Sequence, residues 1–132
     1  MTRKQVVSLV VAGVATLALL AVLAVYGIYV LFQSGVTRPI DNKFGDQHLK
    51  TTVALVELHK ARNGHYPARL SDLRFTGEWD AIALNRVDYC ANSDGSAYYV
   101  QVRSGWVGPP DLSFSEEFWR GTGYDESVGP CR

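Results

Sequence analysis

The three histidines of this 132-residue chain, His48, His59 and His65, are the side chains best suited to bind a transition metal. Glu57 lies between them in the sequence and could add a carboxylate ligand. In a helix, His48 and His59 would share a face, because eleven residues are about three turns. The same eleven residues rise about 16 Å, which is too far apart for one ion. We therefore expect solvated or helix-capping histidines and no metal site.

Acidic side chains in the second half of the chain could supply oxygen ligands for calcium. The candidates are Asp88, Asp94, Asp111, Asp125 and Glu126. Their spacing does not follow that of a regular calcium-binding loop, in which ligands recur at alternate positions and end on a glutamate. We therefore predict solvated surface acids and no cofactor, with calcium binding as the alternative.

The residues that could catalyse hydrolysis lack the arrangement that this chemistry needs. Glu116 and Glu117 are adjacent, and neighbours on a strand point to opposite faces, so they would make a poor acid–base pair. The chain contains no Gly-x-Ser-x-Gly sequence, which would mark a serine nucleophile. No small-molecule substrate is identified either, and we predict that the protein is not an enzyme.

The longest apolar stretch runs from Val6 to Phe32 and contains 27 residues without a charge. As a helix it would reach about 40 Å, which exceeds the roughly 30 Å hydrocarbon core of a bilayer. Two tyrosines and a phenylalanine lie near its end, where aromatic rings favour the lipid–water interface. Arg3 and Lys4 precede the stretch and, by the positive-inside rule, would keep the N-terminus in the cytoplasm.

A cleaved signal peptide is the alternative explanation of this stretch. Signal peptides have an apolar region of about 7–15 residues before a site flanked by small residues. The stretch here is about twice as long, and no convincing cleavage site follows it. We therefore predict a cytoplasmic N-terminus at residues 1–5, a transmembrane helix at 6–32, a linker at 33–41 and a domain outside the cytoplasm at 42–132.

Charge divides the chain at nearly the same place. Residues 1–40 contain three basic residues and no acidic one, a net charge of +3. Residues 41–132 contain 10 basic and 13 acidic residues, a net charge of −3. Proteins that bind nucleic acid carry a basic surface that contacts phosphates, so this domain is not expected to bind nucleic acid.

Two cysteines, Cys90 and Cys131, lie in the predicted domain. In an oxidising compartment two cysteines of one small domain most simply pair, and two free thiols are the alternative. A domain of about 90 residues buries only about 60–65% of its unfolded surface, so a disulfide would add to a modest stability. We predict a Cys90–Cys131 disulfide.

The start of the domain has the pattern of an amphipathic helix. Pro39 is expected to break or kink the chain, and Asp41 or Asn42 can cap a new helix. Apolar residues then recur at helical spacing from Asn42 to Arg62; they are Phe44, Leu49, Val53, Val56 and Ala61, with Thr52, Leu55 and Leu58 beside them. Gly64, just past this stretch, is a natural residue for a helix C-terminus.

The rest of the domain has the pattern of short strands and turns. Apolar alternation predicts strands at 81–91 and 97–102, and the Asp-Gly pair within Asn92–Ser96 is typical of a hairpin turn. Residues 112–119 could form a third strand or a short helix. The large aromatic residues are expected in the core, with a partner-binding surface as the alternative; they are Trp79, Trp106, Phe114, Phe118 and Trp119. The predicted fold is α+β, with an amphipathic helix packed on a small antiparallel sheet.

The order of these parts resembles that of type IV pilins and type II secretion pseudopilins. The closest local match is a turn that is similar to the Asn-Gly-x-Tyr-Pro stretch after the long helix of major pseudopilins; its residues are Asn63, Gly64, Tyr66 and Pro67. Many pilins also have two cysteines that close a C-terminal loop, as Cys90 and Cys131 would. The resemblance implies a pilin-like α+β fold, and some major pseudopilins bind calcium in their C-terminal loops.

The chain departs from the pilin pattern around its apolar stretch. Pilin precursors have a leader that ends in glycine, and a glutamate five residues into the mature chain. Here Gly13 is followed by Val14, the fifth position is Ala18, and no acidic residue precedes Asp41. This departure implies a pilin-like protein that stays in the membrane as an assembly accessory rather than a standard filament subunit.

The resemblance implies a single-pass protein of the bacterial inner membrane with a periplasmic domain. Its expected function is in the assembly of a type IV pilus or type II secretion-type machine, through helix–helix contacts and docking contacts of the domain. Its expected partners are membrane lipid and other membrane or pilin-like proteins. The alternative is a membrane-tethered periplasmic binding domain unrelated to filaments.

Overall fold

The computed structural model describes residues 2–33, 35–74 and 76–131. It divides into two compact units, the first ending at Thr37 and the second beginning at Arg38. Four residues lie outside the described residues; they are Met1, Ser34, Phe75 and Arg132. Met1 belongs to the predicted N-terminus, Ser34 to the predicted linker, and Phe75 and Arg132 to the predicted domain.

The first unit is built from one helix, α1, which runs from Arg3 to Gln33. The hydroxyl of Thr16 donates to the backbone carbonyl one turn earlier at 2.9 Å, which allows a polar side chain in an apolar helix. The segment Arg3–Phe32 is long and apolar enough to cross a membrane. Its most apolar window has a mean hydropathy of 2.8 and no buried residue. The predicted transmembrane helix at 6–32 therefore lies within α1.

The second unit is built on α2, which runs from Arg38 to Asn63. The prediction started this helix at Asn42, which was four residues too late. Pro39 lies in the first turn, where the N–H that proline lacks would have no helical partner, so it begins the helix instead of breaking it. The centre of α2 is buried at Leu49, Thr52, Val53 and Val56, whereas Phe44, Leu58 and Ala61 of the predicted apolar stripe are exposed.

A 3₁₀ turn at Leu70–Asp72 and a short helix, α3, at Glu78–Leu84 follow α2. The carboxylate of Asp80 accepts a hydrogen bond from the N–H of Gly77 at 2.8 Å, which stabilises the start of α3. This helix packs against α2. The prediction of a strand from residue 81 was therefore wrong over its first six residues, four of which lie in α3 and two in the turn after it, because the capped helix prevails over a short apolar alternation.

Two strands, β1 (Val87–Ala91) and β2 (Tyr98–Val102), form the predicted antiparallel hairpin. Pairing runs from Val87 opposite Val102 to Ala91 opposite Tyr98. The connecting turn contains Gly95 at a φ of 65°, a conformation that glycine adopts freely and that the predicted Asp-Gly turn requires.

The C-terminal segment contains a short helix, α4, at Glu116–Trp119 and a 3₁₀ turn at Glu126–Val128. Of the two alternatives for residues 112–119, the structure has the short helix. Glu116 and Glu117 therefore lie in one helical turn rather than on a strand, and both are exposed.

The structure contains the predicted disulfide between Cys90 of β1 and Cys131, with Cα atoms 5.6 Å apart. The bond joins positions 41 residues apart and ties the end of the chain to the hairpin. It explains how a glycine-rich segment with little regular structure is held against the sheet.

The core of the second unit lies between α2 and the hairpin. Its buried residues are Leu49, Val53, Val56, Tyr66, Val87, Tyr98 and Val100. The C-terminal segment adds partly buried rings that pack against them; they are Phe114, Phe118, Trp119 and Tyr124. The fold is α+β, with a long apolar helix, further helices and a small antiparallel sheet.

Candidate functional site

An open groove of about 420 Å³ lies between the N-terminal half of α2, α3 and the loop 104–108, and we term it the aromatic groove. Its main lining residues are Phe44, His48, Trp79, Ile82, Arg86 and Trp106. Phe44, His48 and Thr51 reach it together because residues four and seven apart share one face of a helix.

The apolar side chains around the aromatic groove are exposed. Trp79 is 83% exposed, Trp106 54%, Ile82 46% and Phe44 41%. Burying a large apolar side chain is worth about 1.5–3 kcal/mol, so this surface is unfavourable in water. Neighbouring exposed apolar side chains of this kind mark a protein-binding or membrane-binding site.

The aromatic residues had been predicted in the core, and for Trp79 and Trp106 this prediction was wrong. Trp119 instead stacks on Tyr124, with ring centroids 3.9 Å apart, and packs against the core. Both exposed tryptophans lie outside the hairpin, on α3 and the loop 104–108, where the small core does not extend.

One wall of the aromatic groove is held in place by Asp41 on α2, which is 3% exposed. Its Oδ1 accepts hydrogen bonds from the N–H groups of Val107 at 2.7 Å and Gly108 at 3.0 Å. Gly105 lies so close to the Asp41 backbone that a Cβ at this position would collide with it. Asp41 was a predicted helix cap, but it lies inside α2 and holds the loop that carries Trp106.

Two polar side chains of the groove are oriented by Ser104. The Nδ1 of His48 lies 3.4 Å from the Ser104 carbonyl oxygen, and Nη1 of Arg86 donates to the Ser104 hydroxyl at 3.1 Å. His48 is buried, so the groove presents indole and phenyl rings, the guanidinium of Arg86 and the carboxylate of Asp80 to solvent. This arrangement is suited to binding an apolar surface that carries polar or charged groups.

A second candidate surface is the outer edge of β2. Tyr98 already uses this edge, because its N–H donates to the Gly123 carbonyl at 2.9 Å and its carbonyl accepts from the Asp125 N–H at 2.8 Å. Backbone groups of an antiparallel strand alternate in direction, so those of Val100 and Val102 also point away from β1. Within the part of the chain that the structure describes, these groups have no hydrogen-bond partner, and a cavity of about 380 Å³ lies beside them.

The C-terminal half of α2 contributes to a polar cluster inside the core, which we term the Glu57 cluster. The carboxylate of Glu57 accepts hydrogen bonds from the hydroxyls of Tyr66 at 3.0 Å and Tyr98 at 3.1 Å, and from the N–H of Gly123 at 2.9 Å. The cluster consists of these four residues. Glu57 thus joins the turn, the hairpin and the C-terminal segment, a role that its sequence position on a helix did not predict.

Burial raises the pKa values of the phenols around Glu57. Burial and then the hydrogen bond to Glu57 raise the pKa of Tyr66 to about 12. Burial likewise raises the pKa values of Tyr98 and Tyr89. The Tyr89 hydroxyl donates to the carbonyl of Pro67 at 2.8 Å. These tyrosines therefore act as hydrogen-bond donors that hold segments together.

The turn that resembles the pseudopilin sequence lies next to the Glu57 cluster. Gly64, at a φ of 81°, ends α2 by donating to the carbonyl four residues earlier at 2.8 Å. The Asn63 side chain donates to a carbonyl one turn back at 3.0 Å. Tyr66 and Pro67 are buried. In this chain the four residues end the helix and fill the core.

The prediction of solvated or capping histidines was wrong for two of the three. His48 is 6% and His59 8% exposed, whereas His65 is exposed. The rings of His59 and His65 meet edge to face with centroids 5.6 Å apart. Burial, and then the charge of His65, lower the pKa of His59. Among residues 2–33, 35–74 and 76–131, no group of three or more His, Cys, Asp or Glu side chains is placed to hold a metal ion.

Three of the five acidic residues considered for calcium bind neighbouring protein groups. Asp88 forms an ion pair with Arg103 across the hairpin. Asp94 and Asp125 each accept a hydrogen bond from the N–H two residues ahead, at 2.9 and 2.8 Å. Hydrogen bonds from the side chain and then from the N–H of Ser96 lower the pKa of Asp94, and those of Ser127 lower the pKa of Asp125 in the same way.

The sequence patterns did not predict the groove residues His48, Ile82 and Arg86. A signal was present for Phe44, which starts a helical row beside the main buried stripe. No local signal places Trp106, because its loop is held by a hydrogen bond between residues 66 positions apart.

Comparison with protein-family models, with curated protein sequences and with solved structures finds no match to this chain. The candidate surfaces therefore come from its own geometry. They are the apolar surface of α1, the aromatic groove and the edge of β2.

Proposed function

We propose that this protein is a single-pass protein of the bacterial inner membrane, with its N-terminus in the cytoplasm and its domain in the periplasm. It acts as a pilin-like accessory in the assembly of a type IV pilus or a type II secretion-type machine. The observation that carries the proposal is α1, a 31-residue helix whose most apolar window has no buried residue.

The apolar surface of α1 supports a membrane position. Each exposed valine or leucine would gain about 1.5–3 kcal/mol on leaving water, and lipid or neighbouring helices supply that environment. Arg3 and Lys4 at its start support a cytoplasmic N-terminus. Ala15 and Ala18 are small enough for a partner helix to approach closely.

The domain supports the periplasmic location and the docking contact. The Cys90–Cys131 disulfide suits an oxidising compartment. Next to Tyr98, the edge of β2 offers the N–H and carbonyl groups of the partly exposed Val102 to a strand of a partner protein, whereas Val100 lies in the core. We assign the docking contact to this edge.

A second candidate is a tethered binding domain unrelated to filaments. The aromatic groove favours it, because a concave site of about 420 Å³ lined by rings and a few polar groups suits an apolar small molecule. In that case α1 would hold the domain at the membrane without contacting other proteins.

Site-specific photo-crosslinking in the native cell distinguishes the two functions. A photoreactive residue replaces Ala18 in α1 or Ser113, an exposed residue beside the edge of β2, and Ser71 is the exposed control. Assembly predicts adducts at Ala18 and Ser113, but not at Ser71, with membrane proteins that have an N-terminal apolar helix.

The absence of protein adducts at both test positions would favour the tethered binding domain. The intact mass of the membrane-extracted protein tests the anchor itself. A mass that lacks the apolar stretch would refute membrane anchoring by α1.

A further inference from the structure

We propose that the aromatic groove is a membrane-binding surface that docks on the phospholipid interface beside the anchor. Two observations support this inference. The connection between α1 and α2 is short, and two exposed tryptophans lie near the start of α2. The inference rests on the proposed function, since it requires α1 to lie in a bilayer.

The chain connection limits how far the groove can lie from the membrane. Only residues 34–37 separate Gln33, the end of α1, from Arg38, and a chain of that length spans at most about 18 Å. Phe44 follows about 9 Å further along α2. With the anchor in a bilayer, Phe44 therefore stays within about 27 Å of the surface, whereas the far end of α2 at Asn63 can lie about 28 Å beyond Phe44.

The exposed side chains are those that prefer the lipid–water interface. Indole rings combine a large apolar face with one N–H donor, so they favour the head-group region. The chain has three tryptophans, and both of those outside the core, Trp79 and Trp106, border this groove. Ile82 and Phe44 between them provide apolar surface that can reach the start of the acyl chains.

The charge around the groove also suits phospholipid. Arg86 lines the groove, and the first two turns of α2 add Arg38 and Lys43, both exposed. Asp80 also lines the groove, where its carboxylate accepts a hydrogen bond from the N–H of Gly77, and the buried Asp41 accepts hydrogen bonds from the loop backbone. Glu78, beside Trp79, is exposed. Basic side chains beside interfacial rings bind the phosphates of anionic lipids, although the domain as a whole is acidic.

The shape of the surface favours lipid over a protein partner. Trp79 is 83% exposed and projects from the start of α3. A lipid interface accommodates a projecting ring without a complementary surface, whereas a protein partner needs a pocket of matching shape.

Tryptophan quenching by brominated lipid tests this inference on the full chain. The protein is reconstituted in vesicles that contain phosphatidylglycerol and acyl-chain-brominated phospholipid. The wild type is compared with a double variant, Trp79→Phe with Trp106→Phe, which retains Trp119 and leaves the core unchanged. We expect the brominated lipid to quench the wild type at least about twofold more than the double variant, because the two groove indoles lie in the interface.

The other outcomes overturn the inference in distinguishable ways. Quenching of the groove indoles by aqueous iodide but not by brominated lipid would place the groove in water. Protection from both quenchers would mean that protein covers it. Release of the protein from vesicles by alkaline carbonate would refute the anchor, and with it the proposed function, whereas retention without lipid quenching refutes only the groove inference.

Discussion

Aromatic side chains beside the two halves of α2 lie in opposite environments. At the Glu57 cluster, the rings of Tyr66 and Tyr98 are buried, meet at 4.8 Å and donate their hydroxyls to one carboxylate. At the aromatic groove, Trp79 and Trp106 are exposed. The difference follows from what surrounds the rings, because the core encloses Tyr66 and Tyr98, whereas Trp79 and Trp106 lie on α3 and the loop 104–108 outside it.

Exposure at the groove therefore depends on how the whole domain packs and not on the residue type of its aromatic side chains. A small domain cannot cover all its apolar surface, but it covers the Glu57 half with a disulfide-tied segment. At the aromatic groove, Asp41 holds the loop 104–108 in place, and the apolar side chains that border the groove stay exposed. Substitutions in the Glu57 cluster are therefore expected to reduce stability, and substitutions of the exposed groove side chains to affect binding.

Loss of the disulfide is expected to have the largest effect and to weaken the cluster half. In the variant Cys90→Ser with Cys131→Ser, the free energy of unfolding is expected to fall by about 4 kcal/mol, the chain-entropy value for a loop of this length. The measurement is guanidinium unfolding of the full chain in detergent, followed by near-ultraviolet circular dichroism of the tyrosines. Reduction of the wild type is the control, and an unchanged midpoint would contradict the prediction.

Removal of the central acceptor is expected to have the next largest effect. Glu57→Leu leaves two hydroxyls and one N–H without their acceptor, and the expected loss of unfolding free energy is about 3 kcal/mol. Glu57→Gln keeps one acceptor oxygen and is expected to lose less. Glu117→Leu, at an exposed position, is the matched control. An equal loss of unfolding free energy in both leucine variants would show that the hydrogen bonds of the Glu57 cluster do not stabilise the domain.

A methyl group at Gly105 tests whether the groove has a rigid wall. Gly105→Ala forces a Cβ against the Asp41 backbone, and we expect a loss of about 2 kcal/mol from overpacking. Gly77→Ala is the control, because its Cβ would meet only Asp80 Oδ2, at an ordinary 3.6 Å. Equal unfolding midpoints for the two variants would mean that the loop moves freely.

The same substitution at two tryptophans separates an exposed ring from a packed one. Trp79→Ser is expected to change the free energy of unfolding by less than about 0.5 kcal/mol, because its ring is exposed. Trp119→Ser removes a ring that packs against the core and is expected to lose about 2 kcal/mol. Denaturant unfolding measures both, and a large loss at Trp79 would show that its ring is buried in solution.

The smallest expected effect is a dependence of stability on pH through His59. Its folded-state pKa lies below the ordinary 6.5, so below that pH the unfolded chain binds more protons than the folded chain. His59 therefore does not reduce the free energy of unfolding above about pH 6.5, and this free energy falls as the pH decreases from there towards the folded-state pKa of His59. His59→Gln is expected to lessen this fall, and an unchanged profile in unfolding experiments would contradict the prediction.

His65→Gln completes this experiment. It removes the neighbouring charge, which is the second cause of the lowered pKa, and leaves burial, the first cause, in place. We expect it to lessen the fall in stability by a smaller amount than His59→Gln does.

Local sequence patterns determined the elements that depend only on residues near one another in the chain. Residues 6–32 contain no charge, so they form a helix that is apolar on all sides. The Asp-Gly pair at Gly95 set the hairpin turn, and two cysteines in one small domain were enough to predict their pairing. The predicted break near Pro39 is confirmed, since α1 ends at Gln33 and α2 begins at Arg38. Only the start of α2 was predicted too late, because a proline that would disrupt a helix interior is favourable in a first turn.

Tertiary structure alone decided which polar groups are held inside and which rings stay outside. The contacts of Asp41 with Val107 and of Glu57 with Gly123 each join residues 66 positions apart. No local pattern contains such a contact, because periodicity indicates a face of an element and not what covers that face. Trp79 and Trp119 therefore look alike in the sequence, and only the tertiary structure leaves the first exposed on α3 and places the second against the core.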